Sequence, residues 1–168
     1  MTTLHPNLHR IAEQAVTGAI DRGLTVATAE SLTAGMVAAV LADTPGASGM
    51  LQGGVVSYQD SVKADVLGVP RDLLDAVGAV DGQVAAAMAD GARRICGADI
   101  GVSTTGVAGP EPHGGQDIGS VYIGIATADG SASYAYSFEG SRAEIRSLAC
   151  AAALDRLLEV LAPAGDPA

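Results

Sequence analysis

Three short runs, "LTVATA", "GGVVSY" and "ADIGVSTTG", lie between stretches of helical composition, and each opens into a loop of small and polar residues. A chain that alternates strand and helix in this way has few solutions available. The strands share one sheet and the helices cover its faces.

The helical stretches carry their own punctuation. Asn7 is placed to cap a first helix in which Leu8, Ile11, Ala12, Ala15, Val16, Ala19 and Ile20 follow the i, i+3, i+4 rhythm up to Gly23. Thr33 to Ala42 return to helical composition before the turn signal "DTPGASG". A short helix is expected around Asp60 to Leu67, Pro70 starts another, and Asp81 caps a longer one with Val84, Met88, Ala92 and Ile95 on a single face. The third run opens into "TTGVAGPEPHGGQDIG", where five glycines and two prolines in sixteen residues exclude regular structure.

Beyond that loop, "SVYIGIATA" and "SASYAYSF" flank Asp129-Gly130, a two-residue hairpin signal. In the second of these strands Ala132, Tyr134, Tyr136 and Phe138 face one way and Ser131, Ser133 and Ser137 the other, which suits an edge. Ser141 and Glu144 form a capping-box pattern opening a closing helix to about Leu161, and the tail Pro163 to Ala168 is expected to fray. The expected fold is α/β: one domain over residues 1–168, a three-layer α/β/α sandwich on a mixed, mostly parallel sheet with a C-terminal antiparallel hairpin.

Composition narrows the function. A net charge of −10 repels phosphate backbones and anionic lipid, so neither direct nucleic-acid nor membrane binding is expected. No N-terminal signal and no apolar run of about 18 residues stands in the sequence, and a cytoplasmic location is expected. Cys96 and Cys150 fall inside Ala-rich helical patterns and read as reduced core thiols without chemistry. His5, His9 and His113 fall in no spacing that suggests a triad, and His113, Glu111 and Asp117, which share the glycine-rich loop, match no metal-ligand spacing, so neither metal nor cofactor is expected. Of the nine basic residues eight are Arg, and Lys63 is the only lysine. A retained lysine has a use that arginine cannot meet when it must lose its proton.

In open α/β sheets ligands gather beyond the strand ends. Three segments qualify. "TAESLTAG" presents Ser31 ahead of a helix, with Thr33 and Gly35 behind it as candidate substrate contacts; Ser31 is either a helix cap or a nucleophile whose oxyanion meets the N–H groups of the helix start. Glu30 either orients a neighbour, binds a substrate amide or forms an ordinary salt bridge. "SYQDSVK" bears Tyr58 and Lys63, the lysine being a solvated amine or a base for Ser31. "TTGVAGP" offers Thr105, Gly106 and Gly109, a structural loop or one whose backbone approaches a phosphate or carboxylate. Arg142 and Arg146, one helical turn apart, either clamp a phosphate or pair with Glu144 or Glu139.

"TAESLTAG", "GGVVSYQDSVKADVLGV", "MADGARR", "TTGVAGP" and "GSVYIGIA" together, in this order and spacing, resemble the CinA C-terminal domain family over essentially the whole chain. Members with nicotinamide-nucleotide amidase activity hydrolyse the carboxamide of nicotinamide mononucleotide, giving nicotinate mononucleotide and ammonia. The resemblance implies Ser31 as nucleophile and Lys63 as its base. Tyr58 and Thr105 would assist, with the "TTGVAGP" loop and Arg142 or Arg146 near the nucleotide. It also implies a stand-alone domain, lacking the N-terminal domain linked to nucleotide pyrophosphatase activity. The sequence departs from the family in reading "GPEPHGGQD" where "GPGGG" is common, and Ser141 where Asp or Asn is usual. The expected partner is a small-molecule nucleotide substrate, and an edge strand makes a homodimer plausible. Alternative readings are a non-catalytic protein-binding module of the competence and DNA-damage context, or an amidase acting on another small amide.

Overall fold

The structure is a computed structural model and describes residues 5–163. The expected fraying beyond Pro163 lies outside the described residues. Its elements run α1 (Leu8–Arg22), β1 (Val26–Glu30), α2 (Met36–Ala42), a 3-10 turn (Ala47–Gly49), β2 (Leu51–Val56), α3 (Asp60–Asp65), α4 (Arg71–Val77), α5 (Gly82–Cys96), β3 (Ile100–Gly106), β4 (Ser120–Thr127), β5 (Gly130–Ser137) and α6 (Arg142–Leu161).

The five strands form one sheet in the order β2-β1-β3-β4-β5. β1 pairs in parallel with both β2 and β3, while β4 pairs antiparallel with β3 and with β5. The sheet is therefore mixed, and β4 alone runs against the other strands. Residue parity on the strands divides the core into two layers, as a side-chain period of two requires. Val26, Ile100 and Val102 join α1, α2 and α6 in the larger layer, with Leu8, Val16, Leu41, Ile145 and Leu154 fully buried there. Ala27 and Ala29 point the other way, into a smaller layer closed by Val84, Met88 and Ala92 of α5 and by Leu67 and Val69.

That smaller layer is thin because α5 lies close on the sheet. A Cβ on Gly101 would come within 1.9 Å of the Ala89 carbonyl oxygen, and one on Gly124 within 2.2 Å of the Ala85 carbonyl oxygen. Glycine at both positions lets the helix backbone reach the strands. Ser103 Oγ then donates to the Ala85 carbonyl at 2.6 Å, tying helix to sheet in the same layer.

Several local expectations change. Asn7 sits at the start of α1 but makes no side-chain cap bond, and Ile20 and Ile95 stand 43% and 48% exposed at the last turns of their helices. A periodic pattern continues past the point where a neighbour exists to cover it. The hairpin turn falls one residue earlier than Asp129-Gly130: Thr127 pairs with Gly130, leaving Ala128 and Asp129 as the loop, and the positive φ belongs to Gly130 at 136°. Asp81 does cap α5, its Oδ1 accepting from the Gln83 N–H at 2.7 Å. Ser141 and Glu144 complete the capping box of α6. Among the described residues no helix is long and apolar enough to cross a membrane.

Candidate functional site

β1, β2 and β3 end at one edge of the sheet, and the loops that follow them enclose a cleft of about 630 Å³. Ser31 enters from the β1 loop, Tyr58, Asp60 and Lys63 from the β2 segment, and Thr105 from the end of β3. Residues 107–113 of the loop that runs on to 119, with Arg142 at the first turn of α6, form the mouth. The three segments singled out by their sequence thus converge, as parallel strands joined by right-handed crossovers place their C-terminal ends together.

Ser31 follows β1 directly, its N–H donating to the Thr104 carbonyl at 2.9 Å. The next residues do not form the expected helix. They make a tight loop, with Ala34 at φ 50° and Gly35 at φ 94°, and α2 begins only at Met36. Glu30 explains the geometry. Its buried carboxylate accepts from Gly35 N–H (3.0 Å), Val37 N–H (3.0 Å), Ala38 N–H (2.9 Å) and Thr33 Oγ1 (2.6 Å), so it caps α2 from five residues away. The N–H groups of the helix start are therefore occupied and cannot meet an oxyanion. Between Ser31 and Ala38, the backbone N–H groups without an acceptor are those of Leu32 and Thr33, which come straight after Ser31.

Arg146 holds the same loop from the opposite side. Its Nε donates to the Leu32 carbonyl at 2.8 Å and its Nη2 to the Thr33 carbonyl at 3.0 Å. Glu30, Thr33, Gly35 and Arg146, all candidate substrate contacts, stand outside the cleft wall, with their polar groups engaged in shaping the loop that carries Ser31, and Glu30 thereby orients its neighbours, one of the roles open to it. Arg142 and Arg146 accordingly do not form a clamp. Arg142 alone reaches the mouth, where Nη1 donates to the Gly109 carbonyl (2.6 Å) and Nη2 to the Tyr58 hydroxyl (2.7 Å). Gly106 and Gly109 line the cleft beside it, and the Thr105 hydroxyl donates to the Ala79 carbonyl at 2.7 Å.

Lys63 is the largest fully buried side chain among the described residues, only 1% exposed. A lysine is almost never buried without a reason. Its Nζ donates to the Tyr58 carbonyl and to Asp60 Oδ1, each at 3.3 Å, and no hydrogen bond joins it to Ser31 across the cleft they share. Burial lowers the pKa of the amine below the usual lysine range, and the charge and hydrogen bond of Asp60, then Tyr58, offset part of that fall. Asp60 was not singled out in the sequence. The signal was its position three residues before Lys63 on a helix, where side chains meet.

Other chemistry is less supported by the geometry. Cys150 is buried, and its desolvation, with the Glu30 charge nearby, pushes the thiol far above its usual range; Cys96 is half-buried and unpaired. Among the described residues no group of three or more His, Cys, Asp or Glu side chains is placed to hold a metal ion. His113 and Glu111 line the mouth, and His113 exchanges backbone hydrogen bonds with Gln116 at 3.1 and 3.0 Å.

The sequence and the fold match known proteins. The model of the CinA C-terminal domain matches residues 8–161. A CinA-like protein of Frankia casuarinae is 46% identical over 143 residues, covering 85% of this chain and 33% of the relative. A putative competence-damage inducible protein of Desulforamulus reducens is 50% identical over 135 residues, covering 80% of this chain and 33% of that protein. The chain thus spans about a third of the length of these curated relatives. Among solved structures, competence damage-inducible protein A of Klebsiella pneumoniae superposes with a TM-score of 0.90 at 30% identity, covering 95% of this chain and 99% of that one. The competence/damage inducible protein CihA of Agrobacterium tumefaciens gives 0.89 at 31% identity, with the same coverage.

Proposed function

The chain belongs to the CinA C-terminal domain family, and from that footing we propose that it is a metal-independent amidohydrolase converting nicotinamide mononucleotide to nicotinate mononucleotide and ammonia. The observation that carries the reading is Lys63: the only lysine of the chain is buried in the cleft that also holds Ser31, with its pKa lowered. An amine that loses its proton more readily than usual is a competent base for a serine that makes no hydrogen bond to a histidine.

In the proposed reaction Lys63 Nζ takes the Ser31 hydroxyl proton as Oγ bonds to the carboxamide carbon. The oxyanion is met by N–H groups that follow Ser31, Leu32 first, since Leu32 itself lines the cleft. Collapse breaks the C–N bond, and the proton on Lys63 goes to the departing nitrogen, which leaves as ammonia. Water then adds to the acyl ester, giving a proton to Lys63. Breaking the C–Oγ bond releases the carboxylic acid, and Lys63 returns the proton to Ser31. The guanidinium of Arg142, with N–H groups beyond its two bonds, and the glycine-rich backbone beside it would receive the phosphate of the nucleotide.

Incubation of the protein with nicotinamide mononucleotide and measurement of ammonia tests the proposal. Release that disappears in Ser31→Ala is expected. Release no faster than the Ser31→Ala control overturns it, and turnover confined to other small amides would transfer the mechanism to a different substrate.

A further inference from the structure

A neutral primary amine has two N–H donors and one lone pair, and only the lone pair accepts a proton. Lys63 Nζ faces two acceptors at one distance, the Tyr58 carbonyl oxygen and Asp60 Oδ1, each 3.3 Å away. With both N–H groups engaged, the lone pair is left for a third direction. The Tyr58 carbonyl belongs to the backbone. Asp60 is the side-chain half of the arrangement: it starts α3, three residues before Lys63, and is 60% exposed where Lys63 is 1% exposed.

We infer that Asp60 is the positioning residue of this base, anchoring Nζ from the solvent side and setting the pH range over which the amine serves Ser31. The inference rests on the amidase reading of the site and adds a regulatory group to it. The other titratable or charged groups of the cleft come from separate elements: Tyr58 from the segment after β2, Glu111 and His113 from the loop after β3, and Arg142 from α6. Asp60 is the one carboxylate among them within ion-pair distance of Nζ.

Removing the Asp60 charge takes away an influence that raises the lysine's pKa and leaves burial, which lowers it. The free amine then exists at lower pH. Because Asp60 is solvent-exposed, screening moderates the effect, and a movement of about one pH unit is expected.

The uniqueness of Lys63 makes this measurable without any assay of hydrolysis. Protein grown on lysine carrying 13C at Cε gives one side-chain resonance, that of residue 63. Its titration midpoint should fall by about one unit in Asp60→Asn and return toward the wild-type value in Asp60→Glu. The acid limb of kcat/KM for nicotinamide mononucleotide should move with it, so that below the wild-type limb Asp60→Asn is up to about tenfold faster than wild type. Asp60→Ala, which also removes the acceptor, should lower the plateau as well as move the limb. A midpoint that stays in place or rises in Asp60→Asn overturns the inference whatever the activity. A midpoint that falls while no variant releases ammonia upholds the tie between Asp60 and Lys63 and overturns the amidase reading alone.

Discussion

Arg142 and Tyr58 meet across the mouth of the cleft, the guanidinium Nη2 donating to the phenolic oxygen at 2.7 Å from an element 84 residues further along the chain. Both side chains are solvent-exposed, so the bond organises the entrance more than it stabilises the fold. Tyr58→Phe and Arg142→Ala should each raise KM for a nucleotide substrate. The double variant should cost less than the sum of the two, with a coupling of about 1 kcal/mol, roughly fivefold. A double-mutant cycle on KM measures this, and strict additivity would show that the two side chains act separately.

The Glu30 carboxylate has four donors and no solvent exposure to replace them. Glu30→Gln keeps one acceptor oxygen and turns the other into an amide donor facing backbone N–H groups. The expected loss is about 1–3 kcal/mol for each donor left without an acceptor, a large part of a typical domain's stability. Urea denaturation gives the value, and kcat should fall as well because the loop released is the one carrying Ser31. An unchanged midpoint would mean that α2 holds itself.

Lys63 ties stability to pH with a definite sign. Its folded-state pKa lies below 10.5, so in the interval between the two values the unfolded chain binds more protons and stability rises with pH. Below that interval the burden of burying an ammonium is present in full; above it the burden is gone. Lys63→Met should remove this slope, and its stability relative to wild type should be greatest at low pH and decline toward pH 10.5. Denaturation curves across that range check the sign. Lys63→Arg should keep the charge and lower kcat by about 10²–10⁴-fold, since arginine does not act as a base.

Two glycines separate close packing from mere flexibility. Gly101→Ala drives a methyl group to 1.9 Å from the Ala89 carbonyl oxygen, and should cost about 1–3 kcal/mol or more. At Gly53 the nearest atom to an added Cβ is Cys96 Sγ at 3.5 Å, an ordinary contact, and Gly53→Ala should change stability by less than about 0.5 kcal/mol. Thermal melts of the two variants side by side provide the comparison.

The order of elements was legible because caps and apolar periodicity are local: Asp81, the Ser141–Glu144 box and the buried faces of α1 and α6 need no knowledge of distant residues. The convergence of three loops followed from their places after parallel strands. The start of α2 was not legible, since a carboxylate at Glu30 and a guanidinium at Arg146, 116 positions apart, together decide the path of the chain after Ser31. For the same reason Thr33, Gly35 and Arg146 looked like substrate contacts. Short polar residues and arginines that shape a loop from behind carry the same local signature as those that face a ligand. Ile20 and Ile95 mark the converse case, where helical rhythm outlasts the surface that rewards it.

The loop 107–119 leaves the sheet at Gly106 and returns beside it, with Gly106 paired to Val121. Its two ends are pinned as register neighbours, so the sheet does not sense how many residues lie between them. Insertions, deletions and exchanges in this return can therefore alter the mouth of the cleft while strand pairing and the two core layers stay as they are. Evolution can rewrite what such a domain admits through this one replaceable part, and the "EPHGGQD" sequence is one such edition.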